Sequence, residues 1–382
     1  MASVLIAPDK FKGSLSADEV ALALERGLLE AAPDTRVDRL PLADGGEGSV
    51  AAACAGRFDP RGITVSGPTG QPVTAGVAVH GRTVLVEAAA VCGLGVLPGG
   101  RKAPLTATSH GVGEAIRYAL DGDADTIVLA LGGVATTDGG AGLLRSLGAV
   151  LTRADGTSIG PGGRGLADLH TVDITEARAA LKDVDLVLAT DVDNPLLGPT
   201  GAAAVYGPQK GANASEVREL DGALAGFVRR VAAGVPDAAR LAETQGAGAA
   251  GGLGYAGMLL GGRVCSGADY FLTLLGADEL LAASDFVVTG EGSLDEQSLS
   301  GKLPVALARR ARRYGTEVHA VAGRCTLPAE RTAAHFRSVQ ALTDLTDQDC
   351  AHDSDLSARL LERCGRALAE GRLGRERTET AR

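Results

Sequence analysis

The sequence predicts an α/β protein that combines an open sheet, discontinuous along the chain, with a second domain containing antiparallel hairpins. Short apolar runs alternate with amphipathic helical segments at the start of the chain, and this alternation returns after residue 109. Between them, residues 58–86 hold short strand-like runs separated by glycine and proline, which is typical of hairpins. A chain of 382 residues also has room for two to three domains of about 150 residues each.

The start of the chain predicts the element order βαβα. Residues 4–6 form a short buried strand, and Ser16 with Glu19 matches a capping box in front of a helix. A second strand is predicted over residues 37–42 and a second helix over residues 47–55. This order is typical of the beginning of an open α/β sheet.

The later elements follow from the same two periodicities. Hairpin strands are predicted over residues 63–66, 73–79 and 83–86. The α/β elements that follow are helices over residues 109–120 and 141–147, and strands over residues 127–131, 186–189, 286–288 and 318–321.

Composition excludes several classes of partner. The formal net charge is −10 and only 3% of residues are aromatic, so the basic surfaces and stacking platforms of nucleic-acid binders are missing. The longest uncharged stretch, residues 244–262, is rich in glycine, which predicts a packed loop and not a membrane span. The cysteines are scattered and the first residues do not resemble a signal peptide. We therefore expect a cytoplasmic protein with no nucleic-acid or membrane partner.

Polar segments follow several of the predicted strands, where open α/β sheets bind their ligands. The segment after the first strand leads into a helix N-terminus, which favours a phosphate or another anion, and it contains Asp9, Lys10, Lys12, Gly13 and Ser14. The alternative interpretation is a solvated turn in which Ser16 only caps the helix.

The second predicted strand ends in Asp44, Gly45 and Gly46. The paired glycines allow a ligand to approach the backbone closely, and Asp44 can bind hydroxyl groups. Helix capping by Asp44 and Glu47 is the alternative interpretation, because their spacing is that of a capping box.

A glycine-rich segment over residues 132–140 joins a strand to a helix. Its backbone N–H groups and the hydroxyls of Thr136 and Thr137 can form a phosphate-binding nest, next to Asp138 and Gly139. The alternative is a glycine-rich turn with Asp138 as the N-cap of the following helix.

Two aspartates, Asp191 and Asp193, follow another predicted strand. If that strand continues through them, they share one face with Cα atoms about 6–7 Å apart and can together hold a cation. Such a pair suits Mg²⁺ shared with substrate phosphates, whereas an Asx turn is the alternative for Asn194. Further along, Gln209 precedes Lys210, which is either a phosphate-facing cation or an exposed surface lysine.

The last polar segment follows the strand predicted over residues 286–288. Glu291 and Asp295 can hold hydroxyls or water around Mg²⁺, and Lys302, near Gln297, can meet a phosphate. Familiar motifs are not met: the Gly-x-Gly-x-x-Gly of residues 246–251 has no strand before it, and no Walker A sequence surrounds Lys302.

Six strings of the sequence, in order, resemble the type I glycerate kinase family (glycerate 2-kinase). They are APDKFKGSLSA (7–17), LADGGEGS (42–49), GGVATTDGGAG (132–142), ATDVDNPLLGPTGAAAVYGPQKGA (189–212), GAGAAGGLG (246–254) and VTGEGSLDEQSLSGK (288–302). The family more often has serine at the position of Lys10 and arginine at that of Ser293. This chain therefore gains one cation and loses another in these segments.

The resemblance implies transfer of the γ-phosphoryl group of ATP to D-glycerate, usually giving 2-phosphoglycerate, with Mg²⁺ as cofactor. It implies two different α/β domains with the active site in the cleft between them. One is a flavodoxin-like open parallel sheet from residues 1–60 and 270–382, and the other is an inserted mixed-sheet domain from residues 61–269.

Within this frame we expect Asp191 to accept the hydroxyl proton or to bind Mg²⁺, with Asp193 in the complementary role and Lys12 holding anionic oxygen. The other expected substrate- or phosphate-binding residues are Asp9, Lys10, Gly13, Ser14, Asp44, Gly45, Gly46, Thr136, Thr137, Asp138, Gly139, Asn194, Gln209, Lys210, Glu291, Asp295, Gln297 and Lys302.

Two other functions stay open at this point. One is a two-domain protein that binds a carboxylate without catalysis, although its site would avoid paired carboxylates because they repel an anion. The other is a nicotinamide-dependent reductase of a three-carbon hydroxy acid, against which the missing strand before residues 246–251 counts.

Overall fold

The computed structural model describes residues 2–299 and 301–379 and divides into two compact units. The first unit comprises Met1–Asp44, Ala51–Arg57 and Ala268–Arg382, and the second comprises Gly45–Val50 and Phe58–Gly267. The sequence-based boundaries stay a prediction, and they differ from the units chiefly over Gly45–Val50, which belongs to the second unit.

Strands and helices are numbered along the chain. The strands are β1 (Ser3–Ile6), β2 (Arg36–Arg39), β3 (Asp59–Ser66), β4 (Pro72–His80), β5 (Thr83–Glu87), β6 (Thr126–Ala130), β7 (Val150–Thr152), β8 (Thr171–Asp173), β9 (Asp185–Ala189), β10 (Arg263–Cys265), β11 (Phe286–Leu294), β12 (Glu317–Cys325) and β13 (Ser338–Ala341).

The helices are α1 (Ala17–Ala31), α2 (Ser49–Ala55), α3 (Ala88–Cys92), α4 (His110–Asp121), α5 (Ala141–Ser146), α6 (Gly162–Gly165), α7 (Thr175–Ala180), α8 (Ala202–Tyr206), α9 (Ala214–Ala232), α10 (Ala238–Glu243), α11 (Leu253–Leu259), α12 (Gly267–Leu274), α13 (Ala277–Ala282), α14 (Glu296–Leu299), α15 (Leu303–Ala311), α16 (Ala329–Ala333) and α17 (Ser354–Glu379). Short 3-10 turns lie at Leu94–Val96, Pro98–Gly100, Leu166–Asp168, Pro208–Lys210, Ala249–Gly252, Arg312–Tyr314 and Leu342–Asp344.

The sheet of the first unit has the strand order β2-β1-β11-β12-β13, and all neighbouring strands are parallel. Counted along the unit, this is the flavodoxin-like order 2-1-3-4-5, so the fold class predicted for this sheet is confirmed. The order reverses between β1 and β11, and such sheets bind ligands beyond the carboxyl ends of the strands at this switch point.

Both faces of this sheet are buried, as expected of parallel strands. Val4, Ile6 and Phe286 pack on one face in a cluster that includes residues of α1 and α17. Leu5 and Val287 pack on the other face with residues of α15. The apolar runs in the sequence therefore come from strands that are covered on both sides.

The sheet of the second unit is mixed, with the order β10-β9-β6-β5-β4-β3. Strands β3, β4 and β5 pair antiparallel, which confirms the predicted hairpins, while β5, β6, β9 and β10 are parallel. A separate antiparallel ribbon joins β7 to β8. Apolar residues of this sheet, such as Ile127 and Leu129, share one buried cluster with Phe227 and Tyr255.

The capping box predicted at the start of α1 is confirmed. Glu19 N donates to Ser16 Oγ at 3.3 Å, and Ser16 N donates to Glu19 Oε2 at 2.8 Å. The alternative cap at Asp44 and Glu47 is wrong, because α2 begins only at Ser49. The polar segment after β1 therefore leads directly into a capped helix, whereas Asp44 and Glu47 after β2 are separated from α2.

Other elements depart from the prediction. Strands β11 and β12 extend to Leu294 and Cys325, beyond their predicted ends at residues 288 and 321. Their parallel pairing continues through polar residues that are typical of a loop. The predicted glycine-rich loop over residues 244–262 contains helix α11. Within the described part of the chain, no helix is long and apolar enough to cross a membrane.

Candidate active site

Three carboxylates of the first unit form an acidic cluster at the carboxyl ends of β1, β2 and β11. Asp9 follows β1, Asp44 follows β2, and Glu291 lies within β11. The backbone N–H of Asp9 donates to Gly290 O at 2.8 Å, which extends the pairing of β1 with β11 to this point. The acidic cluster therefore lies at the switch point of the parallel sheet, where the sheet order predicts a ligand.

Burial makes two of these carboxyl groups unusually weak acids. It raises the pKa of Asp9 to about 7, and the negative charge of Asp44 adds to that shift while Lys10 opposes it. It likewise raises the pKa of Glu291 to about 7, against the opposing effects of Ser298 and Lys302. Both groups can thus exchange a proton, or become fully charged beside a cation, near neutral pH.

Two buried oxygen atoms at this edge of the sheet have no hydrogen-bond partner among the described residues. They are Oε1 of Glu291 and Oγ of Ser14. Buried polar atoms are rarely left unsatisfied, because each costs free energy unless a ligand, ion or water completes it. Each of these two atoms can therefore take up a hydrogen bond with a polar ligand.

We expect Glu291→Gln to stabilise the protein without ligands at about pH 8 much more than at about pH 5. The folded-state pKa of about 7 lies above the usual 4.5, so the stability that Glu291 contributes is complete below pH 4.5 and is lost as the pH rises through 7. Glutamine stays neutral and suffers no such loss. Thermal unfolding of both proteins at both pH values measures the difference.

The control for this experiment is Glu330→Gln, which changes an exposed glutamate of α16. Its effect on thermal unfolding is expected to be the same at both pH values. If Glu291→Gln also gave equal effects at both, the carboxyl group would be ionised over the whole range and its raised pKa would be wrong.

The loop after β1 is folded back on itself. Phe11 N donates to Leu15 O at 2.8 Å, and Leu15 N donates to Phe11 O at 3.0 Å. Lys12 and Gly13 at its tip are exposed, while Ser14 is half-buried. The structure thus brings Asp9, the exposed Lys12 and the unpartnered Ser14 hydroxyl to one short loop at the switch point.

The segment that follows β11 is ordered by its own side chains. Asp295 Oδ1 accepts a bond from Gln297 N at 3.0 Å, and Lys302 Nζ donates to Gln297 Oε1 at 3.3 Å. Ser293 Oγ donates to Asp295 Oδ2 at 3.4 Å and accepts a bond from Arg324 Nε at 3.1 Å. Arg324, which sequence reasoning missed, therefore brings a positive charge to the serine whose position more often carries arginine in the resembled motif.

Asp138 is buried in the second unit, with its carboxylate surrounded by donors. It accepts hydrogen bonds from Ser109 N at 2.8 Å, Ser109 Oγ at 2.9 Å, Gly140 N at 3.1 Å and Gly142 N at 3.3 Å. Burial raises its pKa, and the Ser109 and glycine donors oppose the shift. The carboxylate holds this loop to the starts of α4 and α5, but the N-cap of α5 is Gly140, so the alternative of Asp138 as the N-cap is wrong.

Lys210 is also buried, so the alternative of an exposed surface lysine is wrong. Its Nζ donates to Thr136 O at 2.6 Å and to Thr137 Oγ1 at 3.5 Å, which turns the ammonium group toward the backbone of the glycine-rich loop. Burial lowers its pKa to about 8, with Asp138 and Cys92 opposing the shift. The Oγ1 of Thr136 is buried and has no hydrogen-bond partner among the described residues.

The condition that β9 continues through Asp191 and Asp193 is not met, because the strand ends at Ala189. Both aspartates are exposed in the following loop, where Ser266 Oγ donates to Asp191 Oδ1 at 3.0 Å. Asn194 shapes this loop: its Nδ2 donates to Thr200 O at 2.8 Å.

Other polar residues of the loop after β9 have different environments. Asn194 Oδ1 accepts a hydrogen bond from Tyr206 OH at 2.7 Å, which anchors the loop to α8. Gln209, by contrast, is exposed in a 3-10 turn. Asn194 therefore has a structural role in the described contacts, whereas Gln209 faces solvent.

The segment Gly45–Val50 lies against the carboxyl ends of two strands of the second unit. A Cβ on Gly45, whose φ is +86°, would come within 2.8 Å of Ala189 O, and a Cβ on Gly132 would come within 2.5 Å of Gly46 Cα. Only glycine fits such an approach at these positions. The structure thus brings Gly45 and Gly46 to the loops after β6 and β9.

Glu87, at the end of β5, fixes the segment Gly45–Val50 and was not anticipated from the sequence. Its Oε2 accepts hydrogen bonds from Gly48 N and Val50 N, both at 3.1 Å. A glutamate at the end of an apolar strand only weakly indicates that its side chain fixes another segment, because the sequence pattern does not identify its distant backbone partners.

Residues 4–370 match the model of the Glycerate kinase family. The chain belongs to this family. The glycerate kinase of Bacillus subtilis (strain 168) is 40% identical to it over 345 residues, which cover 89% of each chain. The glycerate 2-kinase of Escherichia coli (strain K12) is 42% identical over 327 residues, which cover 85% of each chain.

A solved structure of a related protein has a similar fold. The crystal structure described as that of a "putative glycerate kinase 2" from Salmonella typhimurium LT2 has a TM-score of 0.84 and 36% sequence identity, and the match covers 98% of this chain and 99% of that chain. The resemblance stated from the six strings and the prediction of a kinase are therefore confirmed. The segment of residues 246–251 follows helix α10 and not a strand, so it lacks the setting of a dinucleotide-binding fingerprint.

Proposed function

We propose that this chain transfers the γ-phosphoryl group of ATP to a hydroxyl of D-glycerate and releases 2-phosphoglycerate and ADP in the cytoplasm. Membership of the glycerate kinase family supports the reaction class, and a relative that is 42% identical carries the name glycerate 2-kinase. The substrates are small anions, which is compatible with the charge of −10 because salt screens distant charges beyond about 10 Å.

The observation that carries the proposal is the group of polar atoms at the switch point of the parallel sheet. Glu291 Oε1 and Ser14 Oγ are buried without partners there, beside the exposed Lys12. A phosphate or carboxylate group would accept from the Ser14 hydroxyl and from Lys12, and a cation or hydroxyl donor would satisfy Glu291.

The residues present fit Mg²⁺. Among the described residues, no group of three potential ligands is close enough to hold a metal by itself. Mg²⁺ in nucleotide enzymes needs only one or two carboxylates besides phosphates and water, and the exposed carboxylates of Asp191 and Asp193 supply such oxygen ligands. Bound Mg²⁺ would neutralise charge on the phosphoryl group.

The protein's own residues then position and polarise the reactants. Asp191 accepts the hydroxyl proton or holds Mg²⁺, and Asp193 takes the complementary role. Lys12 and the backbone of the loop after β1 hold anionic oxygen. The buried Asp138 and Lys210 keep the glycine-rich loop in shape. Phosphoryl transfer depends mainly on such positioning and charge neutralisation, so a strong base is not needed.

The test is incubation of the purified protein with Mg-ATP and D-glycerate, followed by ³¹P NMR. A 2-phosphoglycerate signal together with ADP would support the full proposal. A 3-phosphoglycerate signal would keep the kinase and overturn the position of transfer. If well-folded protein transferred no phosphate but bound glycerate in a calorimeter, the binding-protein alternative would replace the proposal, and NADH consumption would favour the reductase.

Lys12→Ala is expected to raise the KM for glycerate or for ATP by about ten-fold with a smaller change in kcat. The exposed ammonium group contributes a charge-assisted hydrogen bond to an anionic substrate, and such bonds are worth about 1.5–3 kcal/mol. Steady-state kinetics with each substrate varied in turn measures the effect. The control is Lys182→Ala, which changes an exposed lysine of the second unit. Unchanged kinetics for Lys12→Ala would favour the alternative interpretation, in which the loop after β1 is a solvated turn.

A further inference from the structure

Arg324 lies at the carboxyl end of β12, directly beside the polar segment of β11. The parallel register pairs Ser293 with Arg324, just as it pairs Glu291 with Ala322 two residues earlier. Ser293 and Arg324 therefore form a neighbouring pair two residues beyond Glu291 and Ala322, near the carboxyl ends of both strands. The arginine thus lies in the ladder that carries the buried glutamate whose Oε1 has no partner among the described residues.

The charge of Arg324 is not neutralised by the part of the chain that the structure describes. Its Nε donates to Ser293 Oγ at 3.1 Å, and no described carboxylate lies within ion-pair distance of its guanidinium group. Other arginines of the same unit do have such partners: Arg331 pairs with Glu296 at 3.0 Å, and Arg337 with Glu317 at 3.9 Å. An exposed arginine whose Nε is fixed by a hydrogen bond is arranged to receive an anion with its other nitrogens.

We propose that Arg324 is a substrate-binding residue, which holds an anionic oxygen of the substrate pair with its terminal guanidinium nitrogens. This inference rests on the proposed function for the identity of the ligands. The shared chemistry is a phosphate or carboxylate oxyanion, from the nucleotide or from glycerate. Ser293 is the positioning residue: it fixes Nε on one side and bonds to Asp295 on the other.

The cross-strand geometry provides a sharp test. Neighbouring strands lie about 4.8 Å apart, so an arginine on either of the paired positions can bring its guanidinium group to the same region. Arg324→Ser should weaken binding of one ligand, and the double variant Ser293→Arg/Arg324→Ser should restore most of it. Arg337→Ser is the matched control, since Arg337 precedes β13 at the opposite end of the sheet.

The experiment is calorimetric titration of wild type and these three variants with ADP and, separately, with D-glycerate. We expect Arg324→Ser to weaken the binding of one ligand by about ten-fold to a hundred-fold. The affinity of the double variant for that ligand is expected to lie within about three-fold of the wild-type affinity. Loss of ADP affinity identifies a phosphate oxygen, and loss of glycerate affinity identifies the carboxylate. Circular dichroism and thermal unfolding confirm that the variants fold, as expected for an exposed side chain.

Three results would overturn the inference. The first is unchanged binding of both ligands by Arg324→Ser, and the second is an equal loss of binding in Arg337→Ser. The third is a loss of binding that the double variant fails to restore, because the arginine would then act only through the Ser293 hydroxyl. Wild-type protein that binds neither ligand would overturn it as well. The proposed function fails separately, when wild type gives no phosphoryl transfer even though Arg324→Ser shows the expected loss of binding.

Discussion

Asp191→Asn is expected to lower kcat by about a hundred-fold or more while leaving the fold intact. A positioned proton acceptor contributes about 10²–10⁴-fold to a rate, and a carboxylate that holds Mg²⁺ contributes through charge neutralisation. Asp191 is exposed in the loop after β9, so the amide does not disturb a core. Steady-state kinetics with saturating Mg-ATP and D-glycerate, together with thermal unfolding, measures both expectations.

The matched control is Asp183→Asn. Asp183 is an exposed aspartate that precedes β9, whereas Asp191 follows it, so the two lie at opposite ends of one strand. The control is expected to keep wild-type turnover. Near wild-type turnover in Asp191→Asn itself would remove Asp191 from the proposed mechanism.

The two roles proposed for Asp191 differ in their response to magnesium. If Asp191 holds the ion, the variant binds Mg²⁺ more weakly, and raising the Mg²⁺ concentration restores part of the turnover. If it accepts the proton, the loss stays constant at every Mg²⁺ concentration. Asp193→Asn, measured in parallel, is expected to show the opposite response, because the two residues have complementary roles in the proposal.

The fold was predictable where one periodicity applies to a whole element. Residues 4–6 are apolar throughout because β1 is covered on both faces, and the hairpin strands β3, β4 and β5 are marked by the turns between them. The ends of β11 and β12 were not predictable. Their ladder continues through residues such as Glu291 and Arg324, whose charged side chains do not follow the apolar pattern of a buried strand.

The candidate site was predictable as a set of strand ends, because polar and glycine residues that follow an apolar strand are visible in the sequence. The environment of each side chain was not predictable. Lys210 and Asp138 are charged residues in glycine-rich strings, yet both are buried and bonded to the loop itself. Arg324 and Glu87 were missed because their partners are distant in sequence, and only register or loop closure brings them together.

Asp138→Ala is expected to lower the free energy of unfolding of the second unit by about 3 kcal/mol or more. The substitution leaves the backbone N–H groups of Ser109, Gly140 and Gly142 without the acceptor that they share. Each buried donor without a partner costs about 1–3 kcal/mol, and water reaches the space only if the loop opens. Urea unfolding followed by circular dichroism measures the loss.

Hydrogen exchange shows where the destabilisation occurs. In Asp138→Ala, the amides at the starts of α4 and α5 are expected to exchange much faster, because the carboxylate joins these two segments, while β11 and β12 of the first unit keep their protection. Ser109→Ala is the control: it removes the hydroxyl that donates to Asp138 and accepts from Leu143 N, keeps the Asp138 carboxylate as acceptor for the backbone N–H groups, and is expected to cost less than Asp138→Ala. If both variants lost the same stability, the backbone donors would have other acceptors, and the glycine-rich loop would owe its shape to its glycines and Lys210 and not to Asp138.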